Sequence, residues 1–139
     1  MVTLRTRNIV DRRINVVGGA YCIYVVHDGE TVFYVGQSAG RIFSRLREHL
    51  PTGPKWRRRV RSPLARPIDA NRPQSWNWQV TLMTLEDCAR YVELPDSGPA
   101  LTLDQAEVAI IHHHRPCLNN EHNPRPLPLP QKYRYDKGR

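Results

Sequence analysis

Residues 18–51, GGAYCIYVVHDGETVFYVGQSAGRIFSRLREHLP, decide the fold. Two runs rich in β-branched and aromatic residues flank Asp28-Gly29, a pair that favours the tight turn of a β-hairpin. After Tyr34-Val35-Gly36 the apolar period changes from two to three or four. Ile42, Phe43, Leu46 and Leu50 then share one side of an amphipathic helix that Pro51 stops. On that helix Arg45 and His49 stand at i and i+4, so their heads can meet at one point. Two basic groups so placed belong either to a solvated face or to an anion.

Downstream, residues 51–75 are dominated by arginine and proline and show no clean period, which predicts a basic insertion loop with one short helix. WNWQVTLMT (76–84) alternates, with Trp76, Trp78, Val80 and Leu82 on one face, as a half-buried strand does. LEDCARYVE (85–93) reads as a short helix. TLDQAEVAIIHHHRP (102–116) reads as a longer one, opened by a Thr102/Gln105 capping box and stopped before Pro116. Residues 1–17 read as a basic N-terminal segment, and 121–139 as a proline-rich basic tail outside the core. The expected architecture is therefore α+β, a small three-stranded antiparallel sheet flanked by helices over residues 18–120.

The chain has 139 residues, a one-domain length, with 21 Lys and Arg against 13 Asp and Glu. A net charge of +8 favours a polyanionic partner, nucleic acid first. No apolar run approaches a membrane span, and MVTLRTRNIVDRR does not look like a secretory signal. Cys22, Cys88 and Cys117 form no CxxC, which suits a reducing, cytoplasmic setting.

Set in order, these pieces resemble the GIY-YIG nucleases. Gly19-Ala20-Tyr21 stands for the first signature and Tyr34-Val35-Gly36 for the second. SRLREH (44–49) is similar to the family's arginine helix, and AEVAIIHHHRPCLN (106–119) to the segment that supplies a metal-binding glutamate, Glu107, and a later asparagine, Asn119. The resemblance spans roughly residues 18–120. It departs from the pattern at Ala20, where a larger aliphatic residue is usual, and at Gln37, where many members carry lysine. Tyr24, ten residues before Tyr34, competes with Tyr21 for the first position. The two have opposite parity on a strand, so only one can serve, and the preceding Gly19 favours Tyr21. HHHRPCLNNEH (112–122) is also similar to an HNH nuclease segment, but its spacing is too compact for that site.

What the resemblance implies is a divalent-metal-dependent endonuclease acting on DNA, double-stranded or branched, in restriction, repair, mobile-element cleavage or toxicity. A homodimer would serve double-strand cleavage. Phosphodiester hydrolysis needs an aimed water, a base, and positive charge where the phosphate gathers negative charge. Tyr21 is the expected base, assisted by His49 and lowered in pKa by neighbouring cations, with Tyr34 positioning it. Arg45 would clamp the phosphate bidentately. Glu107 would hold one Mg²⁺ or Mn²⁺ whose other ligands are waters and phosphate oxygens. Asn119 would fix the site by hydrogen bonding. Lys55, Arg57, Arg58, Arg59 and Arg61 would track the nucleic-acid backbone, and binding by such a stretch is salt-dependent. A basic DNA-binding module without chemistry would need the arginines but not Glu107. His112, His113 and His114 are consecutive, so on a helix they point about 100° apart and do not converge on one ion.

Overall fold

The computed structural model describes residues 1–15, 19–50, 62–92 and 100–135. Its class is α+β, as expected, but the described residues form a sheet of four strands rather than three. The strands are β1 (Val2–Arg5), β2 (Ile23–His27), β3 (Val32–Gln37) and β4 (Gln79–Met83), all antiparallel in the order β1-β4-β2-β3. The unexpected strand comes from the segment read as a basic extension. Val2 and Leu4 turn inward while Thr3 and Arg5 stay exposed, an alternation over only four residues that is too short to stand out in sequence. The chain then enters α1 (Thr6–Val10), where the Thr6 amide and hydroxyl both donate to the Trp78 carbonyl.

Helices cover both faces. On one, α1, α2 (Ile42–Glu48) and α3 (Ala65–Ala70) enclose Ile9, Tyr24, Val26, Ile42, Leu46, Leu64, Ile68 and Val80. On the other, α4 (Leu85–Cys88) and α5 (Leu103–His114) enclose Ile23, Val25, Val35, Cys88, Ile110 and Ile111. Both capping residues, Thr84 and Thr102, accept a helix amide and complete reciprocal capping boxes. Four successive residues of β2, Ile23 to Val26, are buried because the strand is central and covered on both sides.

A bulge in the hairpin shapes the site face. Val26 pairs with Tyr34 but His27 pairs with Val32, so Phe33 is the extra residue. Phe33 joins Tyr34 on the α2 side of the sheet, where it stacks on Trp78 with ring centroids 3.9 Å apart. The open edge of β3 is closed by the segment after α5. Cys117 and Leu118 amides donate to the Val32 and Phe33 carbonyls, continuing the ladder as an edge strap.

Two expectations need correction. The tail was expected to lie outside the core, yet Tyr133 packs edge-on against Phe33 and Trp78 at 5.2 and 5.1 Å. Its hydroxyl donates to Asp28 Oδ2 at 2.6 Å, tying the tail to the hairpin turn. The insertion loop is also partly core: Leu64, Ala65 and Ile68 are fully buried, and a buried Leu or Ile contributes about 1.5–3 kcal/mol. The expected backbone-tracking cations Lys55, Arg57, Arg58, Arg59 and Arg61 lie outside the described residues.

Candidate active site

The register places Tyr24 opposite Gly36 and Val26 opposite Tyr34, so both tyrosines rise from one face of the hairpin. Their rings lie 6.3 Å apart, and each meets the His49 ring, at 5.6 and 5.3 Å. Gly36 is required here. A Cβ at that position would overlap the Tyr24 ring and hydroxyl, so only glycine lets the phenol lie across β3.

His49 follows directly after α2 and is 3% exposed. Its Nε2 lies 2.6 Å from the Tyr24 hydroxyl, while Nδ1 bonds to the Ser62 hydroxyl. Ser62 Oγ also accepts the Leu64 amide, which holds the serine in place. Burial, reinforced by the Arg45 charge, pushes His49 down to about 4, so the imidazole is neutral near pH 7. Burial also raises Tyr24, helped by Tyr34 and Glu107 and opposed by Arg45, and Tyr24 is therefore a protonated phenol. Three groups, Tyr24, His49 and Ser62, form one hydrogen-bonded chain.

The two tyrosines weighed for the first signature position are placed differently. Tyr21 precedes β2 and packs half-buried beside the core, whereas Tyr24 meets His49 and Tyr34. The ten-residue spacing from Tyr24 to Tyr34 is the one that the Tyr24–Gly36 register produces. At Tyr24 desolvation outweighs the nearby cation, so its pKa is raised rather than lowered.

Arg45 Nη1 binds Glu48 Oε2 at 2.7 Å, with both side chains well exposed. Such a surface pair contributes little, so the guanidinium can exchange partners readily. Its charge reaches both tyrosines. Glu107 lies on α5. Its charge bears on Tyr24 and Tyr34 alike, and burial raises its own pKa while a Gln37 hydrogen bond lowers it. Gln37 Nε2 also donates to Asp104 Oδ1 at 2.9 Å, so the end of β3 is tied to α5. Asn119 is buried. Its Oδ1 accepts the Val35 amide at 2.8 Å and its Nδ2 donates to the Val35 carbonyl at 2.9 Å. One side chain thus replaces a strand neighbour between Tyr34 and Gly36.

Tyr24, Tyr34 and His49 are therefore in contact, Arg45 and Glu107 stand within electrostatic reach of the tyrosines, Asn119 buttresses β3, and Tyr21 packs elsewhere. Ser62 was missed in sequence, where it is one residue in a run of arginine and proline. Among the described residues no three His, Cys, Asp or Glu side chains gather as a metal-binding group. Glu107 supplies one half-buried carboxylate, a hard oxygen donor of the kind a mostly hydrated dication takes, and a cation beside it would favour its charged form. The chain matches no protein-family model, no curated protein and no solved structure.

Proposed function

We propose that this chain is a divalent-metal-dependent endonuclease of the GIY-YIG type that hydrolyses phosphodiester bonds of DNA. The observation that carries the reading is the 2.6 Å bond between the Tyr24 hydroxyl and His49 Nε2, made by an imidazole that stays neutral near pH 7. A buried phenol beside a neutral imidazole is a two-member proton acceptor. Tyr24 takes a proton from the attacking water as its own passes to His49 Nε2, so no free phenolate is needed. In that tautomer Nδ1–H donates to Ser62. The water oxygen bonds to phosphorus as the bond to the leaving oxygen breaks in line.

Arg45 leaves Glu48 and donates two N–H groups to the phosphate, meeting the charge that develops there. Tyr34 packs against Tyr24 and His49 and limits water at the base. Glu107 would hold the Mg²⁺ or Mn²⁺, which when bound supplies charge neutralisation at the phosphate. Asn119 keeps the Tyr34–Gly36 backbone in register with β2. The excess of Lys and Arg over Asp and Glu supports a polyanionic substrate. Among the described residues no helix is long and apolar enough to cross a membrane.

Conversion of supercoiled plasmid at low salt with Mg²⁺ or Mn²⁺ tests the reading, comparing the native chain with Glu107→Ala. Nicking or linearisation by the native chain alone supports it. DNA binding without cleavage by either protein, across both metals, would replace it with a non-catalytic DNA-binding module.

A further inference from the structure

The sheet edge farthest from the tyrosine pair carries a groove of about 830 Å³ along β1. Arg5, Arg7, Asn8, Asn77, Gln79 and Thr3 line it, and no Asp or Glu does among the described residues. Thr3 bonds to Thr81, but the side chains of the two arginines and three amides have no hydrogen-bond or ion-pair partner among the described residues. Elsewhere on the surface Arg45, Arg72 and Lys132 each pair with an acid, while in this groove no acid among the described residues is at hand to do so. Unspent donors around an acid-free groove mark a place for an anion with several acceptors. The α1 helix, which carries Arg7 and Asn8, packs against α2, which carries Arg45. The groove and the tyrosine site are therefore linked through one helix pair.

We propose that this groove is a second nucleic-acid-binding surface, in which Arg5 and Arg7 hold duplex DNA backbone and Asn8, Asn77 and Gln79 meet sugar and base edges. The side-chain types match that division. Arginine forks fit phosphate, and amides offer the paired donor and acceptor that bases present. The choice of DNA rests on the nuclease reading, and the groove's anion chemistry does not. The two sites stand at opposite edges of the sheet, three strand spacings or roughly 14 Å apart. Contact there would position a duplex without touching the reacting phosphate.

The test is fluorescence anisotropy with a labelled 20-base-pair mixed-sequence DNA duplex in EDTA, where no cleavage interferes, across a salt series. Relative to the native chain, Arg5→Gln/Arg7→Gln lowers the slope of log affinity against log salt by about two. Asn77→Ala/Gln79→Ala weakens binding several-fold with that slope unchanged, because amides carry no charge. Thermal unfolding checks that each variant folds. In the native chain, bound duplex slows hydrogen exchange across residues 2–8. An unchanged slope in the arginine variant, together with unaltered exchange in the native chain, overturns the proposal. So does preference for an RNA duplex of equal length. Catalysis plays no part in these readings, so an inactive but duplex-binding chain would retire the nuclease reading and leave the groove standing.

Discussion

Tyr24 and Gly36 face one another across β2 and β3, and the tyrosine ring occupies the space that any side chain at position 36 would fill. The glycine of Tyr34-Val35-Gly36 is thus a packing requirement of Tyr24. Gly36→Ala should cost about 1–3 kcal/mol as the ring is forced aside. The loss is measured by denaturant unfolding. Because the displaced hydroxyl leaves His49, the same variant should lose cleavage activity by more than its unfolded fraction explains.

Asn119 mimics a strand neighbour for Val35 with two hydrogen bonds at a buried position. Asn119→Ala strands a buried amide and carbonyl and should cost about 2–4 kcal/mol. Asn119→Asp should not rescue it, since the carboxylate accepts the Val35 amide but faces the Val35 carbonyl without a donor. Unfolding midpoints of the two variants check both statements.

His49 gives stability a defined pH dependence. It is faced by Tyr24, Tyr34 and Ser62, with Arg45 and Glu48 close by. Its folded value of about 4 lies below the ordinary value of about 6.5. Between those values the unfolded chain binds the extra proton, so stability is full above pH 6.5 and declines as pH falls towards 4. The loss is up to about 3 kcal/mol and levels off below that pH. His27 and His114 are also lowered by burial and add to the same slope. The difference between the native chain and His49→Gln therefore isolates His49. Ser62→Ala should shift the imidazole's tautomer balance, read from its nitrogen chemical shifts, and lower cleavage without abolishing it.

The legible parts of this fold were those with a strong local period. The Asp28-Gly29 hairpin, the α2 stripe of Ile42 and Leu46, and the capped α5 all follow from spacing and caps. What escaped depends on long-range contacts. Strand β1 is four residues long and exists through its ladder to β4. Tyr133 sits among prolines, and its packing partners Phe33 and Trp78 are distant in sequence. Among the site residues, Arg45, His49, Glu107 and Asn119 were legible from order along the chain. Gly19-Ala20-Tyr21 matches a local pattern, whereas the register between strands and the packing of α2 bring Tyr24 to Gly36 and His49. Ser62 carries no signal beyond its identity, since its role arises only when the chain brings it to His49.

The most direct measurement is nicking of supercoiled plasmid in Mn²⁺ by the native chain, Tyr24→Phe and Tyr21→Phe, each confirmed folded. Removing one hydroxyl from a general acid–base pair costs about 10²–10⁴ in rate. The account predicts that loss for Tyr24→Phe, with Tyr21→Phe within a few-fold of the native chain. Unimpaired cleavage by Tyr24→Phe, or no cleavage by the native chain, would contradict it.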